Sequence, residues 1–335
     1  MGIAIKGVSY YLPEKCVTND ELLSMISTNS GSDACLDDLQ KKLELNLAET
    51  RYFRAKNETG VDMAETVARD CLKKAQLDPV DIDFIIYAGM MRDYLEPAMG
   101  VTLQGRIGAK NANAFDVMNA CNSYLNAVQI AHHFIESGEC RNVLIVGSED
   151  GSSHIPWDKF IKGNETSGFS ALTVADGAAG WIMQKSSEKT YDKNFKLFES
   201  HTYGEHHDLC QIKVGKEADD LKLIVKSKKL AMVAMKVLSD YIPDFIDQAV
   251  TYFGDIDRIF FHQITGNPRK VCGRLSDEYY NRAYNSFSRV GNTGTISIPL
   301  GMALAEEEGK LKHGDRVAVL VGASGFSCAG TAFVY

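Results

Sequence analysis

Apolar positions recur along the chain with two different periods. Four stretches place them three or four residues apart, the spacing of one helix face: AETVARDCLKKAQL (64–77), CNSYLNAVQIAHHFIESGE (121–139), LSDYIPDFIDQAVTYF (238–253) and SIPLGMALAEEEGKLKHG (297–314). Between them lie short, nearly continuous apolar runs bounded by Asp and Gly: DIDFIIYAGM (81–90), VLIVGSEDG (143–151), DIDRIFFHQI (255–264) and VAVLVGASG (317–325). Such runs read as strands buried on both faces. Their alternation with helices predicts an α/β fold whose mostly parallel strands are covered on both sides.

The order of these stretches repeats. Asp81 and Asp255 open matching runs at an offset of 174 residues, and Gly147 matches Gly322 at an offset of 175. One shared DIDxI turn could be coincidence; two matches in register argue for an internal duplication. The expected organisation is two α/β halves, 1–175 and 176–335, around a pseudo-twofold axis. Residues 151–170 and 185–225 are polar and irregular, and read as loop-like insertions.

Composition narrows the function. The 335 residues carry 36 Lys and Arg against 44 Asp and Glu, a formal charge of −8. An acidic chain is poorly suited to non-specific nucleic-acid binding. None of the eight cysteines forms a CxxC pair, so zinc spacing is absent and no metal is expected. No run approaches the roughly 18 apolar residues of a membrane span. The opening MGIAIKGVSYYLPE lacks the apolar core of a secretory signal, so a cytoplasmic protein with reduced thiols is expected.

Chemistry concentrates at corresponding positions of the duplication. FDVMNACNSYLNAV places Cys121 between a strand-like run and a helix, where the helix dipole and free backbone N–H groups favour thiolate. The matching turn of the second half, SRVGNTGTISIPLG, carries Asn292, and Ala88 of the first copy corresponds to His262 of the second. These strand and helix ends converge in a duplicated fold. A Cys, a His and an Asn can supply a nucleophile, an acid/base and an oxyanion donor. Singly, each has a plainer reading: Cys121 as core, His262 as a satisfied buried histidine, Asn292 as a turn residue.

Together with YYLPEKCVTNDEL, DGAAG (176–180), FFHQITGNPRK and the C-terminal GASGFSCAGTAFVY, these motifs resemble the ketoacyl synthase III branch of the thiolase superfamily over nearly the whole chain. The resemblance implies a five-layer αβαβα fold, a homodimer, and no cofactor beyond acyl-CoA or acyl-carrier-protein thioesters as substrates. It implies Cys121 as the acyl-accepting nucleophile. His262 and Asn292 would donate to the thioester carbonyl of the second substrate, and the backbone N–H groups of Cys121 and Gly325 would form the other oxyanion hole. It also implies a carrier-protein docking patch at Arg269, Lys270 and Arg274, although such a cluster is equally often a solvated face. The family's short-chain members stack coenzyme A on a tryptophan near residue 33. NSGSDACLDDLQKK has no aromatic there, which favours a carrier-protein donor.

A narrower resemblance concerns MRDYLEPAMG (91–100), similar to a segment of ketosynthases that join two acyl chains head to head in olefin, α-pyrone and dialkylresorcinol biosynthesis. Glu96 falls where their dimer partner contributes a glutamate. A malonyl nucleophile forms its carbanion by losing carbon dioxide, whereas a plain acyl or β-ketoacyl thioester must lose a proton to a base. Pro97 favours an extended Glu96, suited to a projecting loop. Taken alone, Glu96 reads as a surface carboxylate paired with Arg92. Met90, Met91, Tyr94, Leu95 and Phe326 are candidates to line an acyl tunnel. The alternatives are a decarboxylative synthase using a malonyl donor, an acyltransferase to an alcohol or amine, a papain-like protease with the same Cys–His–Asn order, and a non-catalytic subunit of a heterodimeric synthase.

Overall fold

The computed structural model describes residues 2–33, 35–160, 169–191, 194–195, 197–215 and 221–335. The first sheet contains β1 (Gly2–Tyr11), β2 (Phe84–Tyr87), β3 (Asn113–Asp116), β4 (Asn142–Asp150) and β5 (Asp176–Ser186), side by side in the order β1-β5-β4-β2-β3. The second contains β6 (Leu197–Thr202), β7 (Arg258–Phe261), β8 (Ala283–Tyr284), β9 (Arg316–Ala323) and β10 (Ser327–Val334), in the order β6-β10-β9-β7-β8. In both, the three strands at one end run parallel and the two at the other pair antiparallel. The duplication read from the run offsets is therefore a duplication of sheet topology.

Period-two alternation assigns each strand residue to a layer. Val143 and Ile145 of β4 face one core while Leu144 and Val146 face another. In β9, Val317, Val319 and Val321 join the former, and Ala318 and Leu320 join a third. The shared core lies between the sheets and contains helices α3 (Ser123–Ser137) and α5 (Ser297–Glu307). Helices α1 (Gly60–Ala75) and α2 (Met99–Ile107) cover the outside of the first sheet, and α4 (Ser227–Phe253) covers the second. The result is the five-layer αβαβα sandwich. Nine consecutive α5 residues, Ser297 to Ala305, are buried, as a helix with sheets on two sides requires. Each fully buried Leu, Ile or Val contributes about 1.5–3 kcal/mol of transfer free energy.

β5, the first strand after residue 175, pairs with β4 and β1 and so belongs to the first sheet. One expectation needs correction. The stretch 185–225 is not all loop: β6 closes the second sheet against β10, as β1 closes the first. β6 is an edge strand with its last three residues exposed, so its sequence lacks a buried strand's apolar run. No helix among the described residues is long and apolar enough to cross a membrane, and no disulfide joins the eight cysteines among the described residues.

Candidate active site

Cys121 sits in a tight turn between β3 and α3. Ala120 adopts φ +49°, in the left-handed region that an alanine rarely occupies. The Ser123 hydroxyl holds the turn, accepting from Asn119 N at 2.8 Å and donating to the Ala120 carbonyl at 2.6 Å. The turn leaves Cys121 half-buried, and the backbone N–H groups of Cys121 itself and of Ser324 lie at its sulfur. Burial nevertheless pushes the thiol's pKa up, with smaller contributions from Cys210 and Glu149. The expected lowering by the helix end is overridden. A helix terminus supplies about 0.3–1 kcal/mol, whereas each pKa unit is about 1.4 kcal/mol and burial in this core outweighs it.

His262 follows β7 directly, its backbone N–H donating to Leu320 O of β9 at 2.9 Å. Its Nδ1 lies 2.8 Å from the hydroxyl of Ser297, the first residue of α5. Burial lowers its pKa to about 4, so the ring is neutral near pH 7.

Asn292 lies in the turn preceding α5. Its backbone is stitched to the loop before β5: Asn292 N donates to Thr173 O at 2.7 Å, and Ala175 N donates to Asn292 O at 2.9 Å. Gly291, at φ +72°, is required beside this pairing because a Cβ there would lie 2.8 Å from Thr173 O. Asn292 Oδ1 accepts from Gly294 N at 3.0 Å, which leaves the amide NH₂ as the free, donating end.

Three links bring these groups into one region. The sulfur of Cys121 meets Ser324, just beyond the end of β9; His262 extends β7 alongside β9; and the Asn292 turn packs on Glu149, whose charge Cys121 feels. Gly325 follows Ser324 with φ +124°. Cys121, His262, Asn292, Ser324 and Gly325 are all half-buried, each beside fully buried neighbours. Cys210 stands beside them, its thiol close to Ser324.

Glu96 does not join this cluster within the chain. The segment carrying it is pinned at both ends. The Asp93 carboxylate accepts from Gly60 N and Val61 N, both at 2.8 Å, at the start of α1. The Asp116 carboxylate accepts from Met99 N and Gly100 N at the start of α2, and pairs with Arg92. Arg92 is thus committed to Asp116, not to Glu96. The tip Leu95–Glu96–Pro97 is left exposed, Leu95 at 79%. Of the other tunnel candidates, Tyr94 and Phe326 pack into the cores on the outer faces of the first and second sheets, while Met90 lies 3.2 Å from the place a Gly294 Cβ would take.

In the basic cluster, Arg269 bonds Asp277 and Leu275 O and covers the Tyr280 ring, and Arg274 pairs with Asp244. The side chain of Lys270 lies outside the described residues. Among the described residues, one group could offer three metal-ligand atoms within 4.8 Å, His132, His133 and Glu136; it stands at the far end of α3 from Cys121.

The sequence reading missed Ser297, Ser324, Cys210 and Glu149. Glu149 alone left a trace, as a carboxylate ending an otherwise apolar strand. The contacts of the others depend on chain segments far apart in sequence.

The family profile for 3-oxoacyl-[acyl-carrier-protein] synthase III matches residues 115–204, and the profile for its C-terminal part matches 246–335. The β-ketoacyl-[acyl-carrier-protein] synthase III of Ehrlichia canis is 30% identical over 332 residues, covering 98% of each chain. That of Methylococcus capsulatus is 27% identical over 328 residues, 96% of each. Among solved structures, a cysteine-to-serine variant of Xanthomonas campestris OleA with bound lauric acid and lauroyl-CoA superposes with a TM-score of 0.83 at 22% identity, covering 100% of this chain and 99% of that one. The 3-oxoacyl-[acyl-carrier-protein] synthase III of Aquifex aeolicus gives 0.79 at 23% identity, with both chains fully covered. These two likenesses show the fold.

Proposed function

The chain belongs to the 3-oxoacyl-[acyl-carrier-protein] synthase III family, carbon–carbon bond-forming acyltransferases, and on that premise we propose that it joins two acyl or β-ketoacyl thioesters head to head, without decarboxylation, through an acyl group on Cys121. The substrates are thioesters of coenzyme A or acyl carrier protein, and no other cofactor takes part. The two halves divide the labour: the first holds the nucleophile, the second His262 and Asn292.

The neutral imidazole suits both parts of the cycle. When Nδ1–H donates to Ser297, Nε2 is a lone pair able to take the Cys121 proton as the thiol attacks. When the Ser297 hydroxyl donates to Nδ1 instead, Nε2 carries the proton and becomes a donor, alongside the free NH₂ of Asn292, to the carbonyl of the second thioester. A hydroxyl can serve either tautomer. The acyl carbonyl on Cys121 faces the backbone N–H groups around Cys121 and Gly325.

One observation carries the head-to-head reading: the exposed Leu95–Glu96–Pro97 tip. It is anchored at Asp93 and Asp116, yet among the described residues its carboxylate has no hydrogen-bond or ion-pair partner and Leu95 stands exposed. That suits insertion into the acyl site of a second copy, where the carboxylate would serve as the base that removes the α-proton. The names of the curated relatives favour the other reading, in which a malonyl-carrier protein supplies the carbanion. Incubating the protein with two saturated acyl thioesters and no malonyl donor decides between them. A β-keto product lost in Glu96→Gln supports the base; a product formed only with malonyl-carrier protein supports the decarboxylative route.

A further inference from the structure

Glu149, at the end of β4, is 2% exposed. Its Oε1 accepts from Met90 N at 3.1 Å, Thr295 N at 3.3 Å and the Thr295 hydroxyl. Its Oε2 is buried with no hydrogen-bond partner among the described residues. No ion pair reaches the carboxyl among those residues. The titratable groups that feel it are the Tyr87 phenol on β2 and the Cys121 thiol. Burial, opposed by the hydrogen bonds from Thr295 and Met90, raises its pKa to about 7. A charge placed there would stand uncompensated in the central core.

The location follows from the duplication. At the offset of 174–175 residues, Thr295 corresponds to Cys121 and Glu149 to Ser324. Ser324, at the end of the second half's strand, sends its N–H across to Cys121; Glu149, at the end of the first half's strand, reaches across to Thr295. The Glu149 clamp also touches Gly294, whose N–H fixes the Asn292 amide, and Met90, where the segment leading to Glu96 begins.

We propose that Glu149 is a positioning residue: it locks the Asn292 turn against the 90–97 segment, and a charge on it opposes the formation of the Cys121 thiolate. The inference rests on Cys121 as nucleophile and Asn292 as carbonyl donor.

The test is the rate at which iodoacetamide alkylates Cys121, followed by peptide mass spectrometry from pH 5.5 to 9. Glu149→Gln keeps the carboxyl's shape and its acceptor, and carries no charge. Wild type and Glu149→Gln are expected to alkylate equally below pH 6, where both are neutral. Above pH 7.5 the wild type should lag at least threefold, its log-rate plot bending near pH 7 where that of Glu149→Gln stays straight. A merely structural role moves no such bend. Thr295→Val, which removes a donor to the anion, should shift the bend to higher pH, and it decides the matter if Glu149→Gln does not fold. Superimposed profiles, or a bend that Thr295→Val leaves in place, overturn the proposal. Alkylation needs no acyl substrate, so the result is separate from whether a thioester acylates Cys121; absence of an acyl adduct would overturn the functional reading instead.

Discussion

The hydroxyl of Ser297 stands 2.8 Å from His262 Nδ1, joining the first residue of the second half's central helix to the end of its central parallel strand. This contact holds the neutral ring in place in either tautomer, because a hydroxyl can donate to Nδ1 or accept from it. Ser297→Ala is expected to lower the condensation rate roughly 10–100-fold, part of the 10²–10⁴-fold that a positioned acid/base supplies. Combining it with His262→Ala should add little, since the hydroxyl acts through the ring; steady-state rates of the two single variants and the double variant measure this. Fully additive losses would mean that Ser297 acts elsewhere.

The His262 pKa of about 4 lies below its ordinary value of 6.5. The ring therefore stays uncharged across the neutral range, and the condensation rate should show no histidine inflection between pH 6 and 7. The stability consequence has a definite sign. From pH 6.5 down to about 4 the unfolded chain takes up a proton that the folded chain refuses, so this group lowers stability as pH falls through that window. The difference in unfolding free energy between wild type and His262→Gln, measured at pH 5 and pH 7.5, reports it.

Asn292 offers a free NH₂ because its oxygen is occupied by Gly294 N. Asn292→Ala should slow condensation about 10²–10³-fold, the usual effect of removing one oxyanion donor. Acylation of Cys121 by the first thioester should change little, since other N–H groups face that carbonyl. Single-turnover mass spectrometry separates the two half-reactions; an equal loss in both would place Asn292 at the first carbonyl.

Glu149 carries the opposite sign from His262. Its folded pKa of about 7 exceeds the ordinary 4.5. Its stability contribution is whole below about pH 4.5 and is lost as pH rises to about 7, because only the unfolded chain releases the proton in that window. The shift corresponds to roughly 3 kcal/mol. Glu149→Gln should therefore gain about that much relative to wild type between pH 5 and pH 8, read from urea midpoints. A difference that stays flat with pH would show that the carboxyl is ionised throughout.

Gly294 combines φ +54° with a site where a Cβ would lie 3.0 Å from the Glu149 carboxyl carbon. Gly294→Ala is expected to destabilise the protein by about 1–3 kcal/mol and to reduce condensation by displacing Asn292. A lowered melting temperature with unchanged kcat would show that the turn tolerates the methyl group.

The layers of the fold were legible because buried strands and helices write their burial into the sequence at their own periods. DIDFIIYAGM and DIDRIFFHQI announced β2 and β7, and their offset announced the repeat. β6 was not legible: an exposed edge strand buries too little apolar surface to leave the pattern. The place of β5 in the first sheet was not legible either, since its pairing with β4 and β1 leaves no local signal.

By itself, the sequence determined the α/β class and the duplication, and it singled out Cys121, His262 and Asn292 as candidates for the chemistry. Their electrostatics were decided only by the tertiary structure. Whether a helix end lowers the Cys121 pKa or burial raises it, and which groups face Ser297, Ser324 and Glu149, depends on contacts between segments up to about 200 residues apart. Desolvation acts through three-dimensional surroundings, and those exist only once the two halves have closed on each other.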